Sequence, residues 1–159
     1  MKKGSTVVLR AAVVIIGLIV LALCGGIVYM LMSEGLPSLP YRFALLSIIT
    51  CLFVSTIPFY MALSQAMKLL GYIGRDSAFS ELSVQALKKI KYCAAFIAGI
   101  YIVCEPFFFM VAEMDDAPGL VLFGSVPVFA SCVIAVFAAL LQRLLSDAIA
   151  IKSENELTV

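Results

Sequence analysis

The sequence predicts an all-α integral membrane protein with four transmembrane helices, a cytoplasmic amphipathic extension before helix three and a cytoplasmic extension of helix four. Composition is the first observation: 64% of the 159 residues are hydrophobic, only 13% are charged, and the mean hydropathy of +1.13 exceeds that of soluble domains. The second is the presence of four long apolar runs. The third is the placement of the basic residues beside one set of run ends. We expect a single domain over residues 1–159, with spans at about 11–32, 41–67, 92–112 and 120–145.

The first span, 11–32, contains no charged residue. At ~1.5 Å per residue, a helix of this length crosses a ~30 Å hydrocarbon core. The preceding Lys2, Lys3 and Arg10 are similar to the basic start of a signal peptide, but the apolar run is longer than the ~7–15 residues of a signal-peptide core. We therefore interpret this span as an uncleaved anchor.

The second span, 41–67, carries Pro58 in its interior. Proline removes the amide that would bond to the carbonyl of Val54, and the nearby Ser55 and Thr56 are hydroxyl donors for that carbonyl. We predict a helix that bends near Pro58.

The connection between spans two and three, 68–91, is predicted to begin where Gly71 and Gly74 end the second helix. Ser80 is typical of a helix N-cap, with Glu81 at the favourable end of the helix dipole. An apolar stripe with helical spacing follows. It consists of Leu82, Ala86, Ile90 and Ala94, with Lys88, Lys89 and Lys91 off the stripe. The pattern predicts an amphipathic helix that runs into span three.

Spans three and four are joined by a short acidic loop, 113–119. Span three contains Glu105 followed by Pro106, and span four contains Pro127. Past the membrane the fourth pattern becomes amphipathic. Its apolar stripe consists of Leu141, Leu144, Ala148 and Ile151. We expect this helix to project into the cytoplasm and to end before a polar tail, 153–159.

The basic residues predict the orientation. Of the 11 Lys and Arg residues, all except Arg42 lie on the side that carries both termini. Cytoplasmic loops carry the excess of Lys and Arg, so we expect a multi-pass protein with its N-terminus and C-terminus in the cytoplasm.

The residue types disfavour catalysis. The sequence has no histidine, which is the most common general base and metal ligand. The five cysteines stand singly in apolar runs, without the paired spacing of a metal site or disulfide framework, and we interpret them as small buried hydrophobic residues. We expect no enzyme activity, no cofactor and no metal, and the net charge of +1 gives no reason to expect direct nucleic-acid binding.

Glu105, Arg42 and Pro106 are the candidate intramembrane functional residues. An acid deep in a span is costly and faces a partner, a cavity or a pathway, and Arg42 at the outer start of span two could reach towards it. One interpretation is a structural contact that fixes helix packing; the other is binding of a ligand, a cation or a proton. In the second interpretation, the carbonyls freed by Pro106 and Pro127 would join Glu105 in an outward-facing pocket for a cation or a peptide. The alternative is that the two prolines only bend their helices.

The outer acidic loop carries Glu113, Asp115 and Asp116. We predict a turn in which an aspartate side chain caps the start of helix four. Hard cations also favour oxygen-rich loops, but these carboxylates are too few for a dedicated site.

Several segments carry a family resemblance. They are LLGYI at 69–73, AFS at 78–80, ALKKIKYC at 86–93, DDAPG at 115–119 and IKSENELTV at 151–159. Nearly the whole chain resembles the YoaS-like family of bacterial membrane proteins of unknown function, with Glu156 where Asp is more usual. The resemblance implies four transmembrane helices in a bacterial cytoplasmic membrane and a frequent genetic pairing with a small helix-turn-helix regulator. It implies no catalytic residue, cofactor or substrate.

The amphipathic connection and the C-terminal tail form the predicted cytoplasmic partner surface. It consists of Phe79, Lys88, Lys89, Lys91, Glu154, Asn155, Glu156 and Leu157. Our leading hypothesis is a non-enzymatic membrane sensor that sequesters a small helix-turn-helix transcription regulator. The alternatives are a proton- or cation-coupled transporter or exporter that works as a homo-oligomer through Glu105, and an immunity or stress protein against membrane-active peptides.

Overall fold

Four helices make up the part of the chain that the computed structural model describes, residues 3–33, 39–73 and 79–157. They are α1 (Lys3–Ser33), α2 (Leu39–Ile73), α3 (Glu81–Met114) and α4 (Leu120–Leu157). Each is long and apolar enough to cross a membrane. The predicted all-α membrane fold with four spanning helices is therefore confirmed.

The helices extend beyond the predicted spans. At ~1.5 Å per residue, the 34 residues of α3 and the 38 residues of α4 exceed the length needed for a ~30 Å hydrocarbon core. The amphipathic connection is the start of α3, as predicted. Ser80 is its N-cap residue in extended conformation, but its side chain makes no capping bond to the backbone; its Oγ lies 3.2 Å from Ser83 Oγ instead.

Two predicted helix ends are wrong. α2 continues through Gly71 to Ile73, because one glycine inside a helix costs only about 1 kcal/mol; Gly74 lies outside the described residues. The predicted tail is helical as far as Leu157, and Ser153 Oγ donates a 2.8 Å hydrogen bond to the carbonyl of Ala150 within it.

The helices pack in chain order. Within the described ranges, α1 contacts α2, α2 also contacts α3, and α3 contacts α4, while α1 contacts neither α3 nor α4. Neighbouring helices run antiparallel. On α1 and α2, Gly17 meets Tyr60 while Cys24 meets Thr56, and on α2 and α3, Phe43 meets Phe107 while Ser47 meets Cys104. α3 and α4 pack against each other on either side of the short turn at 115–119. We call the end that contains residues 115–119 the turn end. The opposite end, where α1 begins and α4 ends, is the terminal end.

Small side chains bring α2 and α3 together. Ala44 and Cys104 are both fully buried, and Cys104 Sγ lies 3.9 Å from the carbonyl oxygen of Ser47. Towards the turn end, Phe43 and Phe107 make an edge-to-face contact with ring centroids 5.9 Å apart. This is the geometry expected where membrane helices associate through close packing.

The cysteines and the hydroxyls near Pro58 differ in part from expectation, and the bend near Pro58 stays a prediction. Cys24 and Cys104 are buried as predicted, but Cys132 is exposed, since it lies on the outer face of α4. α2 runs without interruption through Pro58. The hydroxyls of Ser55 and Thr56 donate to the carbonyl of Leu52 rather than to that of Val54, because a Ser or Thr side chain in a helix reaches the carbonyl three or four residues back.

Candidate functional site

Glu105 lies in the contact between α3 and α4, about 13 Å from the turn end of α3 at the helical rise. Its Oε1 accepts a 2.7 Å hydrogen bond from Ser125 Oγ, which also lies 3.0 Å from the carbonyl oxygen of Val121. Its Oε2 is buried and has no hydrogen-bond partner. A buried carboxylate oxygen without a donor is costly in an apolar medium, so this oxygen is the principal polar anomaly of the membrane-spanning region described.

Gly124 makes the space for that carboxylate. A Cβ built on Gly124 would overlap Glu105 Oε2 and would lie 2.9 Å from Phe108 Cδ2. Gly124 and Phe108 are themselves buried. The acid is therefore enclosed by a glycine, an aromatic ring and one serine hydroxyl.

The predicted reach of Arg42 to Glu105 is wrong. Arg42 is exposed, and neither it nor any other donor satisfies Oε2 of Glu105. The physical reason is that α3 directs Glu105 towards α4, whereas Arg42 lies in the first turn of α2, which contacts α3 but not α4. Pro106 is exposed and lies inside an unbroken helix.

The second feature is an apolar cleft of about 510 Å³ with walls from all four helices. Its wall residues are Val20, Leu23, Cys24, Leu52, Ser55, Thr56, Phe59, Ala62, Leu63, Ala66, Ile90, Ala94, Ile97, Tyr101, Pro127, Ala130, Ser131 and Ile134. It exists because α1 and α4 flank the α2–α3 pair without touching each other. Four helices in sequence thus form an open concavity rather than a closed bundle.

The predicted outward-facing pocket of Glu105, Pro106 and Pro127 is not formed. Pro127 lines the cleft, whereas Glu105 packs against Gly124 and Ser125 in the α3–α4 contact. The residues whose carbonyls the prolines release, Ile102 and Phe123, are 57% and 71% exposed.

The acidic loop is an ordered turn, and the predicted aspartate cap of α4 is wrong. Asp115 is the C-cap of α3, with its amide bonded to the carbonyl of Val111. Asp116 has a φ of 49°, and the amide of Ala117 closes the turn on the carbonyl of Ala112 at 2.9 Å. This is a helix C-terminal motif with a left-handed residue.

Backbone carbonyls serve the start of α4 instead. The amides of Leu120, Val121 and Leu122 bond to the carbonyls of Ala117, Pro118 and Gly119. The Asp115 carboxylate is engaged elsewhere, because its Oδ2 accepts a 3.0 Å hydrogen bond from the Tyr41 hydroxyl on α2. Glu113 and Asp116 are exposed, and no group of three His, Cys, Asp or Glu residues suited to a metal occurs in the described part of the chain.

The predicted partner surface is exposed at the terminal end. Phe79 is 64% exposed and Leu82 is 54% exposed; Lys88 and Lys89 are exposed, and Lys91 is half-buried with its Nζ 5.1 Å from the ring centroid of Tyr92. On α4, Leu144 is 65% and Ile151 is 61% exposed. Glu154 and Asn155 are exposed as well. The side chains of Glu156 and Leu157 lie outside the described residues.

Sequence reasoning missed the surroundings of Glu105. In the sequence, Gly124 is only a small residue within a span, and Ser125 carries no signal beyond being a serine one position later. Gln142 was also missed: its Oε1 is a second buried oxygen without a partner. The cleft could not be predicted from the sequence because its lining is apolar. An apolar stripe has the same sequence pattern whether it faces a helix, lipid or an opening.

Comparison with known proteins places these features in a family context. Residues 32–159 match the family described as protein of unknown function (DUF2975). The chain is 52% identical over 162 residues to the uncharacterized membrane protein YoaS of Bacillus subtilis (strain 168), with 100% of both chains covered. No solved structure matches. The chain belongs to the DUF2975 family of membrane proteins of unknown function.

Proposed function

We propose that this protein is a non-enzymatic membrane sensor that holds a small helix-turn-helix transcription regulator at the cytoplasmic face. The observation that carries the proposal is the apolar surface at the terminal end. Phe79, Leu144 and Ile151 each expose more than three fifths of their surface, on segments that extend beyond the length a bilayer core covers. Large apolar side chains that project beyond the hydrocarbon core are typical of a protein-docking surface.

The charges around these residues support a protein partner. Lys88 and Lys89 are exposed beside the apolar side chains of α3, and Asp147 and Glu154 are exposed on α4. A surface with both signs of charge around apolar residues is typical of a specific interface. The genetic pairing implied by the family resemblance is what points to a helix-turn-helix regulator.

In this function the membrane-spanning part senses and the terminal end responds. α3 and α4 run continuously from the turn end to the terminal end, and Glu105 lies between them. A change in the packing of the two helices around Glu105 would therefore alter the relative position of their projecting ends. That is a coupling between two sites through rigid elements.

The test is affinity purification of the full chain, tagged at its N-terminus, from its own bacterium in mild detergent. We expect a small helix-turn-helix protein to be retained by the wild type and lost from Leu144→Gln and Ile151→Gln. Ser146→Gln is the matched control, because Ser146 is exposed on the opposite face of the same helix. Equal retention by all four forms, or recovery of the chain alone, would contradict the proposal.

A second candidate function rests on Glu105. Its unpartnered Oε2 next to the Ser125 hydroxyl is the arrangement of a carboxyl group that takes up and releases a proton or a small cation during transport. A chain with a lateral cleft and four helices would carry out this role as a homo-oligomer.

A transport role of Glu105 and a purely structural role of Glu105 predict different results for Glu105→Gln. Gln keeps the size and the acceptor for Ser125 but cannot exchange a proton, so a coupled-transport activity in proteoliposomes would be abolished while helix content and thermal stability are retained. Glu105→Asp should keep part of the activity. An unchanged pH-gradient-driven flux in Glu105→Gln would remove the transporter hypothesis.

A further inference from the structure

We infer that the four-helix cleft is a binding site for one acyl chain of an anionic phospholipid from the leaflet at the terminal end. The cleft lies within the membrane-spanning parts of the helices, and its volume of about 510 Å³ is in the ~300–1,000 Å³ range of ligand-binding pockets. No family description or relative assigns such a site.

The surroundings determine the chemistry of the occupant. Interiors are packed without large voids, and an empty apolar space loses contacts on every wall. Because the cleft opens between α1 and α4, which do not touch, its mouth faces the hydrocarbon of the bilayer. A flexible acyl chain from that hydrocarbon fits a long apolar opening better than a polar solute does, since nearly all the lining is apolar.

The direction of the cleft indicates which lipid enters. Its lining runs from the middle of the helices to Ala66 on α2 and Ile90 on α3 at the terminal end. Two exposed lysines lie closer to the terminal end than these lining residues: Lys68 is two residues beyond Ala66 on α2, and Lys89 is one residue before Ile90 on α3. Lysines at the depth of the head groups attract anionic lipids, so a phosphatidylglycerol whose acyl chain fills the cleft would place its phosphate beside them.

The polar groups in the wall do not oppose this occupant. The hydroxyls of Ser55 and Thr56 are directed to the carbonyl of Leu52 within α2, and Thr56 also lies 3.8 Å from Cys24 Sγ. Tyr101 and Ser131 also belong to the wall, yet nearly all of the lining surface is apolar, so the cleft presents mainly carbon to its ligand. The alternative occupant, a helix of a second copy, would have to enter between α1 and α4.

The experiment is native mass spectrometry of the full chain in detergent with added phosphatidylglycerol or phosphatidylcholine. We expect a one-lipid species that favours phosphatidylglycerol and is lost in Ala130→Phe, because Ala130 is an exposed residue of the cleft wall. Ala95→Phe is the control, since Ala95 is also exposed, on α3, but lies outside the cleft. The double variant Lys68→Gln and Lys89→Gln should lower the preference for phosphatidylglycerol by roughly fivefold per lysine and leave binding of phosphatidylcholine unchanged.

A second measurement keeps the inference testable if Ala130→Phe does not fold. Wild-type chain in phosphatidylglycerol vesicles is photolabelled with a phospholipid that carries a diazirine in the middle of one acyl chain. We expect the label on cleft peptides around Cys24 and Ile134. Labelling spread evenly over the exposed faces of all four helices would overturn the site, and so would cross-links between two copies through the cleft or equal lipid binding by Ala130→Phe and Ala95→Phe.

Discussion

Tyr60 on α2 donates a 2.7 Å hydrogen bond to the backbone carbonyl oxygen of Gly17 on α1. The carbonyl oxygen of Gly17 is also part of the hydrogen-bonded backbone of α1, so it accepts two hydrogen bonds. The phenol reaches this oxygen because Gly17 has no side chain in the way. Since α2 is the single described helix that α1 contacts, this bond and the packing around it hold α1 in place.

Removal of that hydroxyl should loosen α1. In Tyr60→Phe we expect the free energy of unfolding in mixed detergent micelles to fall by about 0.6 kcal/mol, the typical contribution of an interhelical hydrogen bond in a membrane protein. Tyr92→Phe is the control, because Tyr92 is 60% exposed and keeps its ring under the Lys91 ammonium group. An equal effect of both changes would argue against a special role of the Gly17 contact.

A side chain at Gly17 should separate α1 from α2. A Cβ there would already lie 3.0 Å from Leu63 Cδ2 and 3.5 Å from Tyr60 Cε1, and the branched side chain of Gly17→Val would add two more carbons to a filled space. We expect a loss of about 1–3 kcal/mol, measured by the same unfolding titration. Gly25→Val should be nearly neutral because nothing lies within 4 Å of its Cβ position.

Gly124→Ala should displace the Glu105 carboxylate. The new methyl group would occupy the position of Oε2, so the side chain must leave its contact with Ser125. We expect destabilisation of about 1–3 kcal/mol, whereas Gly99→Ala, with no neighbour within 4 Å, should be neutral or stabilising. In a double-mutant cycle with Glu105→Ala, the coupling energy between positions 105 and 124 should be clearly non-zero; additive effects would show that the two residues do not share this space.

Asp116→Gly should stabilise the turn between α3 and α4. Asp116 has a φ of 49°, a left-handed conformation that glycine adopts without steric cost. We expect a gain of roughly 1 kcal/mol in thermal unfolding followed by circular dichroism. Asp115→Gly should instead destabilise, because it removes the acceptor of the Tyr41 hydrogen bond; the opposite ranking would contradict the assignment of the turn.

The helices were predictable because the bilayer imposes length and composition on every span. Apolar runs identified all four, and the amphipathic stripe identified the extension of α3. The ends were less accurate: Gly71 did not end α2, and the segment after Ser153 stayed helical. The two errors have different causes: a single glycine such as Gly71 costs a helix only about 1 kcal/mol, and residues 153–157 contain no glycine or proline that would end the helix.

The candidate site could be predicted only in part. Glu105 was identified because an acid deep in an apolar run is costly and must face a partner, a cavity or a pathway. Its partner was not, because Arg42 was chosen for its charge, whereas the fold supplies a serine hydroxyl and the space above a glycine. Which face of α3 meets α4 depends on rotation about the helix axis, and composition does not determine that rotation.

The chain-order packing of the helices has a consequence for synthesis at the ribosome. Every helix contact within the described residues joins neighbours along the chain, so each emerging helix finds its partner in the one inserted just before it. No helix has to wait in the bilayer for a later segment before it can pack. Assembly can therefore proceed step by step with translation, and a chain that stalls after α2 would already contain a correctly paired α1 and α2.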